Sequence, residues 1–126
     1  MKTIVHFWRS IMLMAILCVL SGCRDALPSV TKETLVGSYS YVSNDPENRA
    51  TDHEWERLAL RADGKYDLVQ GGPTKAKSET TGFWYFSGGD HAQVLLDHAG
   101  YPVRVTRGEV RLLIDDDVGI WYAKAK

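Results

Sequence analysis

Cysteine is scarce in this chain. Among its 126 residues there are two cysteines, Cys18 inside an apolar run near the N-terminus and Cys23 just after it. Residues 24–126 contain none, so the disulfide framework that supports many small exported domains is excluded there. This part of the chain must be held together by its own hydrophobic core.

Long hydrophobic runs are missing as well. The longest is Ile11 to Leu20, ten residues, whereas a membrane-spanning helix needs about 20 apolar residues. Lys2 and Arg9 precede this run, and the small residues Ser21-Gly22 follow it. A basic start, an apolar middle and a small-residue boundary are typical of a secretory signal. Residues 1–22 are therefore predicted to be a helical signal segment.

Positive charge is in slight deficit. The chain has 15 basic and 16 acidic residues, and loss of residues 1–22 removes Lys2 and Arg9 but no acid, which leaves 13 against 16, or −3. Proteins that bind nucleic acid present a basic surface. We therefore do not expect nucleic acid as a partner.

Familiar catalytic motifs are absent or incomplete. There is no Gly-x-Ser-x-Gly nucleophile elbow. His53 to Arg57 departs from the zinc-protease signature His-Glu-x-x-His at its last position, and it leads into a predicted strand where that motif needs a helix. Gly71 to Lys75 lacks the spacing of a phosphate-binding loop. We expect no catalytic residues, no cofactor and no enzymatic activity.

Two Asp-His pairs and an acidic triplet are the remaining candidates for a metal site. Asp90-His91 and Asp97-His98 lie at opposite ends of a predicted strand, 91–97, about 20 Å apart at roughly 3.3 Å per residue. One metal ion cannot bridge that distance. Asp115 to Asp117 lacks the spaced oxygen ligands of a calcium loop. All three are interpreted as polar loops or turns, and no metal is predicted.

Cys23 ends a tetrapeptide, Leu20-Ser21-Gly22-Cys23, that resembles the lipobox of bacterial lipoproteins. The resemblance implies cleavage before Cys23, a diacylglycerol on its sulfur and often a third acyl chain on the new amine. Two or three chains give stable anchoring, at about 0.8 kcal/mol per buried methylene. A membrane, held through the acyl chains on Cys23, is thus a predicted partner. The alternative is an ordinary cleaved signal with an unrelated cysteine.

The residues after Cys23 indicate location and domain organisation. Inner-membrane retention of Gram-negative lipoproteins typically uses Asp directly after the cysteine, but this chain has Arg24, so the resemblance implies an outer-membrane anchor facing the periplasm. Residues 23–34 show no clear period and are predicted to be a lipidated flexible tether with a reach of about 18 Å. The remaining residues, 35–126, are enough for one compact domain and too few for two.

Apolar residues in 35–126 recur with a period of two, separated by turn signals, which predicts consecutive hairpins. In the first of these, a three-residue loop at 62–64 with Gly64 at positive φ pairs Leu60 with Tyr66. The apolar side chains of both strands then share one face.

The next hairpin contains a strand with aromatic residues on both faces. Gly88-Gly89 is predicted to form a type I′ turn that pairs Phe83 with Val94. One aromatic set must line the interior, and the other is either covered within the monomer or offered to a partner. The two sets are Phe83 with Tyr85, and Trp84 with Phe86.

The last two hairpins bring two arginines and a tryptophan together. A turn at Arg107-Gly108 sets Arg104 directly opposite Arg111, where like charges destabilise a sheet unless something offsets them. A loop at 115–117 sets Leu112 opposite Ile120, so that Arg111 faces Trp121 in a cation–π contact.

This arrangement, named here the arginine patch (Arg104, Arg111 and Trp121), is the candidate ligand site. An anionic group such as a carboxylate, a phosphate or a lipid head group would neutralise it. The alternative is that Glu109 and solvent screen the two arginines and that nothing binds.

About eight short strands joined by tight turns predict an all-β fold. A consecutive antiparallel sheet removes its edges by closing, so we expect a small up-and-down barrel, with a sandwich as the alternative. Four motifs together resemble those of small lipocalin-like barrels among bacterial envelope lipoproteins. They are Gly37-Ser38-Tyr39, the hairpin LALRADGKYDL, Gly82-Phe83-Trp84 and the closing GIWYAK.

Two functions are compatible with these features. The first is a non-catalytic binding or interaction lipoprotein, which uses the barrel mouth, the aromatic residues or the arginine patch for a small ligand or an envelope protein. The second is an inhibitor or protective protein, which blocks an envelope enzyme or toxin through exposed loops such as 43–54 or 70–80.

Overall fold

The computed structural model describes residues 29–45, 47, 56–73, 75–97 and 99–126. The predicted signal segment and Cys23 lie outside these ranges. One helical turn, α1, precedes eight strands. The elements are α1 (Lys32–Leu35), β1 (Gly37–Ser43), β2 (Arg57–Leu60), β3 (Lys65–Gly72), β4 (Lys75–Ser87), β5 (Gln93–Leu96), β6 (Ala99–Thr106), β7 (Glu109–Asp115) and β8 (Ile120–Lys124).

The strands form a closed barrel in which each is antiparallel to the next and β8 pairs with β1. This confirms the predicted all-β up-and-down barrel and excludes the sandwich. An eight-stranded barrel has an interior just wide enough for side chains to fill. None of the helices in the described ranges is long and apolar enough to cross a membrane.

The β2–β3 hairpin follows the sequence prediction. Leu60 pairs with Tyr66 and Leu58 with Leu68, and Gly64 has a φ of +82°. Glycine adopts this left-handed conformation without steric penalty, whereas a residue with a Cβ is strained there. Local turn chemistry therefore sets this register.

The β4–β5 register prediction is wrong by three residues. Phe86, rather than Phe83, pairs with Val94, and of the two turn glycines only Gly89 has positive φ. A shift by an odd number moves every side chain to the other face. The observed register buries Trp84 in the interior. The register that a type I′ turn at 88–89 imposes would instead have turned Trp84 outward. Burial of the larger side chain determines the pairing.

The turn at Arg107-Gly108 is confirmed, with positive φ at both residues. The β7–β8 register prediction, by contrast, is wrong by two: Leu112 pairs with Tyr122, not with Ile120. An irregularity between Leu113 and Asp115 accounts for the shift. Because the shift is even, each residue of β7 and β8 up to Leu113 keeps the side of the sheet, inner or outer, that was predicted for it.

The barrel interior is filled by large apolar side chains. Trp84, Tyr39 and Leu58 are among the most deeply buried. The core comprises Leu35, Tyr39, Leu58, Leu60, Tyr66, Trp84, Val94, Leu96, Leu112 and Tyr122. Burial of each such side chain stabilises the fold by roughly 1.5–3 kcal/mol before entropic terms.

Helix α1 closes one end of the barrel, called here the helix end. Thr31 caps α1 with a reciprocal pair of hydrogen bonds, and Leu35 enters the core. The Tyr39 hydroxyl donates to the Leu35 carbonyl at 2.6 Å, and the Lys32 ammonium lies 5.1 Å from the centroid of the Trp84 ring. The last residues of the predicted tether are thus part of the domain.

The opposite end, called here the hairpin end, carries the β3–β4 turn. Pairing of β3 with β2 ends at Val69, whereas pairing of β3 with β4 continues to Gly72. The tip of this hairpin therefore extends past β2. The predicted exposed loop 70–80 is accordingly two paired strands and a short turn. Most of the other predicted loop, 43–54, lies outside the described residues.

Candidate binding site on the outer wall

Arg104 and Arg111 lie directly opposite each other on β6 and β7, as predicted. Each has its own carboxylate. Arg104 donates from Nη1 and Nη2 to Asp116 at 2.8 and 2.7 Å, and Arg111 donates from Nε to Glu109 at 2.6 Å. The hydrogen bonds to Asp116 raise the pKa of the Arg104 guanidinium. Intramolecular charge therefore offsets the repulsion between the two arginines.

Arg111 also stacks on Trp121, with its Cζ atom 4.3 Å from the ring centroid. The predicted cation–π contact is confirmed, although Arg111 pairs with Ala123 and Trp121 pairs with Leu113. The contact is diagonal and still within reach of long side chains. An even register shift leaves both residues on the outer wall, which is why the contact survives.

Trp121 is unusual because it is a buried residue on the outer wall, with 9% of its surface exposed. Its indole Nε1 is buried and has no hydrogen-bond partner in the part of the chain that the structure describes. A buried donor without an acceptor destabilises a protein by about 1–3 kcal/mol. The arginine patch thus contains one hydrogen-bond donor that is not satisfied by any residue in the described ranges.

A half-open pocket of about 240 Å³ adjoins the patch. Arg104 forms part of its wall, and Leu113, the strand partner of Trp121, forms another part. The full lining is Asp90, His91, Ala92, Gln93, Pro102, Val103, Arg104 and Leu113. This volume is just below the usual range for drug-sized ligands, and it suits a small polar group.

The two predicted Asp-His pairs do not come together. Asp90 and His91 line the pocket beside Arg104. Asp97 instead accepts a hydrogen bond from the Tyr66 hydroxyl, which, with burial, raises the pKa of Tyr66 to about 12. His98 and His53 lie outside the described ranges. Within those ranges, no three His, Cys, Asp or Glu side chains converge on a common point.

The acidic triplet forms a turn with two distinct roles. Asp115 accepts hydrogen bonds from the backbone N–H groups of Asp117 and Val118 at 3.1 and 3.4 Å. Asp116 binds Arg104. The triplet therefore organises the β7–β8 turn and supplies the counter-charge of the patch.

Sequence reasoning missed a polar group inside the barrel toward the hairpin end. The buried carboxylate of Glu56 accepts hydrogen bonds from the Tyr122 hydroxyl and from Gln70 Nε2, the latter at 3.1 Å. The rings of Tyr101 and Tyr41 lie edge-on to Tyr122, with centroids 5.8 and 6.3 Å away. Burial and the bond to Glu56 raise the pKa of Tyr122.

The sequence does carry a signal for this group, namely the alternation of inward and outward side chains along the strand. Glu56 lies two residues before Leu58 and four before Leu60, so period-two alternation directs it inward. Glu56 also lies within His53 to Arg57, which resembles a metal motif, and that likeness draws attention away from the strand phase. The buried polar group specifies how the strands close around it, since each member must be hydrogen-bonded in the interior.

Comparison with protein-family models gives no match, and comparisons with curated proteins and with solved structures give no significant one.

Proposed function

We propose that this protein is a membrane-anchored lipoprotein of the bacterial envelope whose barrel binds, without catalysis, an anionic or amphipathic small ligand at the arginine patch. The observation that carries the proposal is the buried Trp121 indole N–H, beneath the guanidinium of Arg111, for which the described residues supply no acceptor. An anionic oxygen supplied by a ligand would satisfy both groups.

The ion pairs within the molecule leave room for such a ligand. The Arg104–Asp116 pair is half exposed, at 52% for each side chain, and exposed pairs contribute up to about 1 kcal/mol. A ligand carboxylate or phosphate can therefore replace Asp116 at small cost. The pocket beside Arg104 offers space for the rest of a small head group.

The anchor and the location belong to the same proposal. The lipobox resemblance supports acylation of Cys23, and Arg24 supports sorting to the outer membrane with the barrel in the periplasm. Cys23→Ser should abolish labelling with palmitate and leave the precursor uncleaved or mislocalised. Labelling that persists in this variant would disprove acylation at this residue.

A thermal-shift comparison tests the ligand site. Residues 24–126, which include the whole barrel, are titrated with fatty acids, phospholipid head groups and lipid A fragments. A ligand at 100 times its Kd should stabilise the parent by about 2.7 kcal/mol. The Arg104→Gln variant should bind the same ligand more weakly and should therefore be stabilised less by it.

The matched control is Arg61→Gln at the helix end. Arg61 also lies in an exposed ion pair, with Asp63 at 2.7 Å, but it lies outside the patch. Its substitution should leave ligand stabilisation unchanged. A panel without any stabilising compound, together with an Arg104→Gln variant as stable as the parent, would reduce the patch to ordinary surface.

The protruding β3–β4 hairpin supports a second candidate function, an inhibitor or protective protein of an envelope enzyme or toxin. The residues of β4 nearest the tip, such as Lys77 and Ser78, are exposed. Replacing 71–77 with a two-residue turn, which keeps Gln70 opposite Ser78, should abolish inhibition of the target enzyme and leave ligand binding at the patch intact. Equal inhibition by the parent and by the shortened variant would show that the hairpin is not the inhibitory element.

A further inference from the structure

Two large aromatic side chains lie exposed on the outer wall. Phe83 is 55% exposed and Tyr85 is 61% exposed. They point outward because Trp84, between them, is in the core. Among the described residues, the other large hydrophobic side chains of comparable exposure are Ile114 at 39% and Val118 at 45%.

The aromatic pair and the other two residues lie at different places on the barrel. Strand β4 runs toward the helix end, and 83–87 is its final stretch. The neighbouring Trp84 donates its backbone N–H to the Gly64 carbonyl at 2.9 Å, in the turn beside α1. Phe83 and Tyr85 therefore lie on the wall at the helix end. Ile114 and Val118 lie at the β7–β8 turn, at the hairpin end.

The chain enters the barrel at that same helix end. Thr31, the N-cap of α1, follows Cys23 by eight residues. Eight residues span at most about 27 Å, even when fully extended. If Cys23 carries the anchor, as proposed above, the helix end is held close to the bilayer surface.

The chemistry around the pair suits the interface between head groups and acyl chains. Aromatic side chains with one polar end concentrate at this depth. Leu95, the strand partner of Tyr85, extends the apolar surface. Lys65, the partner of Phe83, adds an exposed cation, and lysine extends its ammonium toward lipid phosphates while its methylenes stay apolar.

We propose that Phe83 and Tyr85 insert into the head-group region of the membrane that holds the acyl chains of Cys23. This contact rests on the proposed lipidation. It orients the barrel with its helix end against the lipid and its β3–β4 hairpin directed away from the bilayer.

Single-site fluorescent labelling of the lipidated protein tests this contact. The full chain is expressed in a bacterial host, and the lipoprotein is reconstituted in phosphatidylcholine–phosphatidylethanolamine vesicles with and without spin-labelled lipid. Phe83→Cys, Tyr85→Cys and, as matched control, Val118→Cys each receive a thiol-reactive fluorophore. In the acylated protein the introduced cysteine is the single free thiol, because residues 24–126 contain no cysteine.

Labels at 83 and 85 should lose about half of their emission to spin-labelled lipid, as expected for the interfacial depth, and the label at 118 should lose almost none. Equal loss at 85 and 118, or no loss at 85, overturns the proposal. A label at 85 that is shielded from aqueous quenchers but not quenched by lipid indicates a protein partner and also overturns it.

Failure of the anchor is detected separately. The parent protein, without an introduced cysteine, should take up no fluorophore. Labelling of Cys23 in the parent would refute acylation itself, whereas an unlabelled parent with unquenched 83 and 85 would refute only the membrane contact.

Discussion

Trp84 and Trp121 are both buried, and each lies beside a cation, but their environments differ in one respect. Trp84 is inside the barrel, and its indole N–H donates to the Arg61 carbonyl at 2.8 Å. Trp121 is on the outer wall, and its indole N–H has no partner within the described ranges. The first is fully satisfied by the fold, so its role is structural. The second has a donor that no described residue uses.

The largest expected effect tests the structural half of this comparison. Trp84→Ala should reduce the free energy of unfolding by about 3–5 kcal/mol, because it removes a large core side chain and leaves a cavity. Urea denaturation followed by circular dichroism measures this loss. A loss below 1 kcal/mol would show that Trp84 is not central to the core.

A pair of smaller substitutions isolates the indole N–H. Trp84→Phe removes the hydrogen bond of the indole to the Arg61 carbonyl, which still accepts from the Gly64 backbone N–H at 3.1 Å. Trp121→Phe removes a buried donor for which the described residues supply no acceptor, and so relieves the cost of burying it. The first should therefore be more destabilising than the second by about 1–3 kcal/mol, measured by parallel denaturation. Equal losses at the two positions would show that the Trp121 N–H is satisfied in solution.

The turn that supports Trp84 gives the next effect. Gly64 has positive φ, and a Cβ built there meets nothing closer than the Lys32 ammonium at 4.0 Å. Gly64→Val should thus cost about 1 kcal/mol or more through backbone strain alone. Gly64→Asn is the control, because asparagine tolerates this conformation and should lose less. A valine variant as stable as the parent would contradict the strain argument.

The smallest expected effect is a pH dependence that arises from the Tyr66 proton, on the interior side of the comparison. The hydrogen bond to Asp97 raises the pKa of Tyr66 to about 12, above its ordinary value of 10.0. The folded state thus favours neutral Tyr66, and its contribution is complete below pH 10 and lost as the pH rises through 12. The free energy of unfolding, measured by denaturation between pH 9 and 12, should fall less steeply in Tyr66→Phe than in the parent. Identical slopes would exclude Tyr66 as the source.

Sequence patterns predicted the registers that depend on local turn chemistry. Gly64 fixes the register of β2 with β3, and the Arg107-Gly108 turn fixes that of β6 with β7, each through residues that are close in sequence. The registers after Gly88-Gly89 and the acidic triplet depend on which side chains the closed barrel buries, and no short stretch carries that information. The contact of Arg111 with Trp121 was predicted in spite of a wrong register, because an even shift keeps both on one face.

The rest of the candidate site could not be predicted, because its partners are distant in sequence. The bond from Arg104 to Asp116 requires the β7–β8 turn to fold back over the wall. The bond from Tyr122 to Glu56 joins residues that are 66 positions apart in the sequence. Only the inward phase of Glu56 was available from the sequence.

Pairing of β1 with β8 also determines when folding can be completed. The partners Tyr41 and Tyr122 are separated by 80 intervening residues, so β1 finds its second neighbour only after nearly the whole domain has been synthesised. Contacts of such long sequence separation slow folding. Until β8 arrives, both β1 and β7 present open edges that can pair with other chains. A chain held in this state is exposed to aggregation, and the last strand ends that exposure.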